Sequence, residues 1–297
     1  MSSASMSESP AGDTRWEPTL PPGRWIELPR EGRLFVREIA GPPGAATVIL
    51  LHGWTATSDL NWFTSFKSLG TRFHVVAFDH RGHGRGLRTR RRFRLSDCAD
   101  DAADVASVLG VERFVAAGYS MGGAVATLLW QRHRARVDGL VLCATASTFF
   151  DTRADRVRLG LLDPISLATR AMPTRGAQRL YERIVWTQTK ERNYQPWMID
   201  EIRSCHPRLV LEAGGELGRF DSRTLRTQID VPTSVVVMTR DILVPTSRQD
   251  ALAAAIPLAE RFTVEGDHVA CVSKPEIFVP ALIDACTSVV DRASVGP

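Results

Sequence analysis

Gly118-Tyr119-Ser120-Met121-Gly122 constrains this chain more than any other stretch. It sits between an apolar run, Phe114-Val115-Ala116-Ala117, and a helical pattern, Ala124-Val125-Ala126-Thr127-Leu128-Leu129. A strand that turns this sharply into a helix leaves the serine hydroxyl exposed at the turn. The two glycines answer a steric demand, because strand and helix backbones crowd together two residues before and after the serine and leave no room for a side chain. The turn also aims the backbone N–H of Met121 at any oxyanion forming beside Ser120, with the partial positive charge of a helix N-terminus behind it. Glycine and serine are common, so the pentapeptide alone also fits an ordinary glycine-rich turn. The readable strand before it and helix after it favour the sharper reading.

Further segments follow in a telling order. Pro232-Thr233-Ser234-Val235-Val236-Val237-Met238 reads as a buried strand and Thr239 to Pro245 as the loop after it, which puts Asp241 at a strand's C-terminal edge. Ligands and catalysis in open parallel sheets gather at that edge. Taken alone, Asp241 fits a turn or a helix cap equally well. His268 follows the short strand within Arg261-Phe262-Thr263-Val264-Glu265-Gly266-Asp267 and precedes a helix opened by Lys274-Pro275-Glu276. Earlier in the chain, Thr47-Val48-Ile49-Leu50-Leu51 is an apolar, partly β-branched run that ends in His52-Gly53-Trp54. Phe73 to Asp79 reads as another strand and leads into His80-Arg81-Gly82-His83-Gly84-Arg85-Gly86.

With a serine at the turn, then an acid, then a histidine, the chain resembles the α/β-hydrolase fold superfamily from about Trp25 to its C-terminus. The resemblance implies a doubly wound, mostly parallel sheet and a catalytic set of Ser120, Asp241 and His268. His268 would be the general base that a weak serine nucleophile requires, and Asp241 would fix its tautomer. The loop at His52-Gly53-Trp54 supplies the second oxyanion N–H in the family, here that of Trp54, and the His52 side chain reads as a brace for that loop. His80 and His83 read as structural, and the glycines of the D-x-R-G-x-G loop as letting it pass close to the elbow at Ser120. One departure stands out: the family commonly has a glycine three residues before the acid, where this chain has Met238.

The implied reaction is acyl transfer to water, with a carboxylic ester as the default substrate and no cofactor or metal. The same residues also serve thioesters, lactones, C–C bonds beside a ketone, perhydrolysis or transfer to another acceptor. A serine at the elbow argues against the dehalogenases and usual epoxide hydrolases of this fold, which use aspartate there. Some members of the superfamily act instead as non-catalytic ligand receptors.

The strand pattern sets the organisation. Trp25 to Leu28 and Leu34 to Ile39 read as an antiparallel opening pair, ahead of parallel strands at 47 to 52, 73 to 78, 113 to 118 and 139 to 144. Asp97 to Leu109 carries apolar residues at helical spacing and reads as a crossover helix. After Ala144 the alternation stops and the pattern turns helical until about Gln228. In this superfamily a helical cap is inserted after the sixth strand, so residues 147–228 are assigned to a cap, 24–146 and 229–297 to the core, and 1–23 to a disordered tail. The cap would roof Ser120, with Phe149, Trp186 and Trp197 as candidate pocket residues for an apolar acyl substrate.

Bulk properties narrow the class. A net charge of +4 over 297 residues is too mild to argue for nucleic acid. No run approaches the roughly 18 apolar residues of a membrane span, and the first 23 residues lack the apolar stretch of a signal peptide. Five scattered cysteines without metal-ligand spacing read as thiols in a reducing cytoplasm. Six arginines between Arg85 and Arg94 read as a solvated loop balanced by Asp97, Asp100, Asp101 and Asp104, with anion binding as the alternative. Oligomeric state and substrate identity leave no signal.

Overall fold

The strand segments predict a parallel sheet buried on both faces, because each is a near-continuous β-branched or small apolar run with few polar interruptions. A computed structural model of the chain describes residues 16–29, 31–150, 164–165, 174–189, 195–257 and 259–295, and within the helix 174–189 it describes only part of the side chains. Eight strands form one sheet: β1 (Gly23–Leu28), β2 (Gly32–Ile39), β3 (Thr47–Leu51), β4 (His74–Phe78), β5 (Phe114–Tyr119), β6 (Val137–Cys143), β7 (Thr233–Met238) and β8 (Ala259–Val264). Their order is β1-β2-β4-β3-β5-β6-β7-β8. β1 pairs antiparallel with β2, and β2 with β4; every later pairing is parallel.

Period-two alternation divides the strand residues between two cores. Ile49, Leu51, Val76, Phe78, Phe114, Ala116, Leu140, Leu142, Val235 and Val237 face one layer, which holds helices α3 (Leu95–Val108) and α4 (Met121–Arg132). Val48, Leu50, Val75, Ala77, Val115, Ala117, Val141 and Val236 face the other, where α1 (Ser58–Trp62) and α2 (Phe66–Gly70) pack. Removing one such fully buried leucine, as in Leu50→Ala, costs about 2–5 kcal/mol. The crossover helix expected at Asp97 begins two residues earlier, at Leu95, because Leu95 is itself buried in the first layer.

Between β6 and β7 the described helices are α5 (Thr174–Thr189), α6 (Pro196–Arg203) and α7 (Pro207–Arg219). Proline at the first helical position, where a missing N–H loses nothing, opens both α6 and α7. The remaining helices are α8 (Thr246–Ala255), α9 (Ala270–Ser273) and α10 (Pro275–Val295).

α7 sits directly on the glycine loop after β4. A Cβ on Gly82, which has φ +80°, would collide with the side chain of Leu209. His206 N–H donates to Gly82 O at 2.7 Å, and the Glu212 carboxylate accepts from Phe93 N–H at 2.8 Å. The glycines of this loop thus make room for α7, Asp79 and the loop's own carbonyls rather than for the elbow, which corrects the sequence expectation. A second correction concerns the N-terminus. Residues 16–22, expected to be disordered, pack on the core: Trp16 meets Phe63 and Trp197 edge-on, Leu20 lies against the second apolar layer, and Arg37 donates to Pro21 O.

Candidate active site

Backbone strain marks where the candidate groups converge. Among the described residues, three non-glycine residues have positive φ: Thr55 (64°), Ser120 (54°) and Ala144 (48°). They follow β3, β5 and β6 at one edge of the sheet. Each such conformation costs on the order of 1–3 kcal/mol and persists only where its surroundings over-determine it.

At Ser120 those surroundings are explicit. Its N–H donates to Cys143 O at 2.9 Å, and its carbonyl accepts from Gly123 N–H at 2.9 Å and from the Thr145 hydroxyl at 2.8 Å. Glycine is compulsory on both sides. A Cβ on Gly118 would run into the Gly122 carbonyl, and one on Gly122 into the carbonyl of Leu51. β5 and the first turn of α4 therefore approach as closely as backbones can, and Ser120 stands between them with Met121 as the first residue of the helix.

Ser120, His268 and Asp241, 148 residues apart at the extremes in the first pair, meet in space. Ser120 Oγ lies 3.0 Å from His268 Nε2, and His268 Nδ1 lies 2.7 Å from Asp241 Oδ2. The Asp241 carboxylate is buried and fully engaged. Its Oδ1 accepts from the N–H groups of Leu243 and Val244, both at 2.9 Å, and its Oδ2 also accepts from Gln249 Nε2 at 3.1 Å. With Nδ1 facing a carboxylate, the imidazole proton belongs there and Nε2 is left to accept from the serine hydroxyl. Met238, where the family commonly has glycine, lies within β7, and its N–H and C=O bond to Gln249 Oε1 and to the Thr246 hydroxyl. The loop geometry is thus carried by α8 side chains.

The loop after β3 brings the third component. Gly53 N–H donates to Asn61 Oδ1 at 2.8 Å, and the Gly53 carbonyl lies 2.8 Å from His52 Nδ1. Gly53 is close to the elbow serine: a Cβ there would sit 3.5 Å from that of Ser120. Asn61 reaches on to Cys271 Sγ at 3.4 Å, and Tyr119 Oη donates to the His268 carbonyl at 2.9 Å. Sequence reasoning missed Gln249, Asn61, Tyr119 and Thr145. Only Gln249 left a trace, as a polar residue at helical spacing from the buried Leu252 and Ile256.

Residues 46–275 match the family described as alpha/beta hydrolase fold. The chain belongs to the alpha/beta hydrolase fold family. Similar proteins include Putative carbamate hydrolase RutD of Agrobacterium fabrum, 28% identical over 245 residues that span 80% of this chain and 92% of that protein. AB hydrolase superfamily protein YisY of Bacillus subtilis is 26% identical over 232 residues, 75% of this chain and 83% of the relative. Among solved structures, the thermophilic esterase from Thermogutta terrifontis superposes with a TM-score of 0.74 at 23% identity, covering 90% of this chain and 99% of that one. The enol-lactonase from Burkholderia xenovorans does so with a TM-score of 0.73 at 20% identity, covering 89% and 100%. These likenesses extend the hydrolase fold over nearly the whole chain.

Not every candidate of this hydrolase falls at the serine. Phe149 is buried in the first apolar layer against Phe220, with ring centroids 5.9 Å apart, and so packs as core. Trp197 stands on α6 in an aromatic group with Phe63 (5.4 Å) and Trp16 (6.2 Å). Trp186 belongs to α5, and its side chain lies outside the described residues. Trp54 turns its indole to α7, donating from Nε1 to Val210 O at 2.7 Å.

The arginine run is balanced differently from the sequence expectation. Asp97 and Asp101 bind Arg81, which precedes the run, and Asp100 binds Arg132 and His133. Arg85 instead pairs with Asp59, Arg91 with Glu31, and Arg88 caps the carbonyls of Gly84 and Ser204. Asp97 and Asp101 point at the Arg81 side because buried Asp101 needs a two-pronged partner, and Arg81 supplies one at 2.5 and 2.7 Å. No disulfide joins any of the five cysteines, and no helix among the described residues is long and apolar enough to cross a membrane.

Proposed function

We propose that this protein is a serine hydrolase that cleaves a carboxylic ester through an acyl-enzyme intermediate. The observation that carries the reading is the continuous hydrogen-bonded line from Ser120 Oγ to His268 Nε2 and from His268 Nδ1 to Asp241. In this reading Ser120 Oγ attacks the acyl carbon while its proton passes to Nε2 of His268. The carbonyl oxygen takes the negative charge, and the N–H groups of Trp54 and Met121 stabilise it, Met121 with the dipole of α4 behind it. His268 then protonates the departing alkoxide, and a water deprotonated by the same nitrogen releases the acid. Asp241 holds the ring tautomer and stabilises the imidazolium; its three other donors keep the carboxylate from turning away.

The segment 147–228 serves as a cap over this centre, with an apolar acyl chain as its occupant and Trp197 and Trp186 as candidate walls. Five cysteines without a disulfide fit a reducing cytoplasm. The likeness to a carbamate hydrolase, an esterase and an enol-lactonase supports acyl chemistry and leaves the leaving group open. A carbamate, thioester or lactone would pass through the same addition and elimination. Steady-state hydrolysis of a size-matched series, a phenyl ester, its thioester, a phenyl carbamate and a lactone, tests the reading. The ester should give the highest kcat/KM; a carbamate favoured by tenfold or more would move the assignment to that class, and no turnover of any of the four would leave a receptor.

A further inference from the structure

The Asp241 carboxylate meets the ring of His268 at Nδ1, and a different group holds the main chain of that histidine. His268 lies in the turn between β8 and α9, where the neighbouring amides bond elsewhere: Ala270 N–H donates to Asp267 O, and the N–H groups of Val272 and Ser273 both donate to Val269 O. No backbone N–H among the described residues donates to the His268 carbonyl. Its donor is the phenolic hydroxyl of Tyr119, at 2.9 Å. Tyr119 is the last residue of β5 and immediately precedes Ser120 in the chain. Its ring has little freedom, being buried and met edge-on by Trp62 of α1 and Phe278 of α10, with centroids 6.1 and 5.7 Å away. Burial raises the phenol pKa well above its usual value, so the hydroxyl keeps its proton and stays a donor at any working pH. The Cys271 thiol is also a hydrogen-bond neighbour of the phenol, and burial pushes its pKa up to about 12. A neutral thiol can donate to Oη while the phenol proton goes to the carbonyl, which is a better acceptor than sulfur.

One residue thus bears on both partners of a proton transfer. Tyr119 is joined to Ser120 by a peptide bond and to His268 by its hydroxyl. A ring pinned at Nδ1 alone can pivot about that contact and swing Nε2 away from the serine; a main chain anchored as well removes the freedom. We infer that Tyr119 is a positioning residue for the transfer of the Ser120 proton, its hydroxyl clamping the His268 main chain so that Nε2 stays 3.0 Å from Ser120 Oγ. This rests on the serine hydrolase reading above. The strand that carries the serine thereby also carries the anchor of its base, and any shift of β5 takes both with it. Packing does not account for the hydroxyl, since a phenylalanine would fill the same space between Trp62 and Phe278 and lose only the clamp.

Tyr119→Phe removes the hydroxyl and keeps the ring. With 4-nitrophenyl acetate as substrate its kcat should fall by about 5- to 30-fold, a fraction of what a misplacement of roughly 1 Å costs. Its KM should change by less than about threefold, because the hydroxyl acts on the base and not on bound substrate. Phosphonylation of Ser120 by a small fluorophosphonate draws on the same proton transfer and should slow by a similar factor. The low-field Nδ1 proton of His268 should exchange with water faster in the variant than in the unsubstituted protein. A kcat within about twofold of the parent, a loss carried mainly by KM, or a variant whose folded fraction is phosphonylated at the parent rate would overturn the inference. Proton spectra of the unsubstituted protein give a check that no folding defect can spoil: the Tyr119 hydroxyl proton should exchange slowly, and exchange as fast as that of an exposed tyrosine would overturn the inference. Labelling of the unsubstituted protein keeps the two claims apart. If Ser120 fails to label, the hydrolase reading falls; if it labels and Tyr119→Phe labels equally fast, only the positioning role falls.

Discussion

The indole Nε1–H of Trp54 donates to the carbonyl oxygen of Val210 at 2.7 Å and so ties the loop after β3 to a helix 156 residues further along the chain. That helix, α7, is also bound to the glycine loop by Leu209 over Gly82 and by buried Arg208, which spans Thr89 O, Arg91 O and Glu212. The segment between β6 and β7 is therefore not uniform. α7 is fastened to the core at several points, whereas α6 presents Trp197 to Phe63 and to the N-terminal stretch at Trp16.

Substrate selectivity should follow that division. Trp197→Ala should alter the preference between acetate and laurate esters by about 1–3 kcal/mol in kcat/KM, the worth of a few methylene contacts. Acylation by a small probe should stay nearly constant. An unchanged chain-length profile in a folded variant would move selectivity to the loops around Trp54.

Asp267 adjoins His268 in the chain and Asp241 meets it from the loop after β7, and the hydrogen bonds separate the two. Asp241→Asn puts an N–H₂ group or a misplaced oxygen against His268 Nδ1 and Gln249 Nε2, so kcat should fall by about two to four orders of magnitude. Asp267 accepts from Val269 N–H at 3.1 Å, a bond that an asparagine oxygen can keep. Parallel kinetics on the two variants decide the matter: a large loss from Asp267→Asn with Asp241→Asn nearly silent would reverse the assignment.

Glu201 on α6 accepts from the Thr57 hydroxyl, and burial, reinforced by Asp59 and Asp79, pushes its pKa up to about 7. A carboxyl whose folded pKa exceeds its unfolded value favours folding while protonated. That contribution is complete below about pH 4.5 and is lost as pH rises through 7. Glu201→Gln should therefore melt near the unsubstituted protein at pH 5 and several degrees above it at pH 8, a difference of about 1–3 kcal/mol. Coincident melting curves at pH 8 would mean that Glu201 is no more difficult to ionise folded than unfolded.

Buried neutral histidines set the acid limit in the opposite direction. Desolvation lowers His52 to about 4 and His83 to about 3, and holds His80 well below the ordinary value, while neither His80 ring nitrogen has a hydrogen-bond partner among the described residues. Unfolded histidines take up protons near pH 6.5, so this contribution is complete above that pH and is lost as pH falls toward the folded values. Each such histidine adds about 1.4 kcal/mol per pH unit to the slope of unfolding free energy below roughly pH 6. His80→Phe should flatten that slope by about one such share in denaturant titrations between pH 6 and 4.5. An identical slope in variant and parent would contradict burial of a neutral ring.

Local sequence carried much of this, and its limits have physical causes. Gly118 and Gly122 were legible because a backbone collision leaves no other residue possible there. Asp241 and His268 were legible from their places after strands, since the edge of a parallel sheet collects functional side chains. Asn61, Tyr119 and Gln249 were not, because each acts on a group brought near only by the fold: Asn61 on Gly53 and Cys271, Tyr119 on the His268 carbonyl, Gln249 on Asp241. The arginine run misled for the same reason. Its nearest aspartates in sequence, Asp97 and Asp101, turn to Arg81, and its own partners Asp59 and Glu31 come from distant parts of the chain.

The central claim is that Ser120 is the nucleophile, and fluorophosphonate labelling with peptide mass spectrometry tests it most directly. The expected result is one adduct on Ser120, no adduct in Ser120→Ala, and a Ser120→Ala protein of unchanged melting temperature that has lost about three or more orders of magnitude in ester hydrolysis. An adduct on another residue, or a Ser120→Ala protein that keeps more than about a tenth of the activity, would contradict the account.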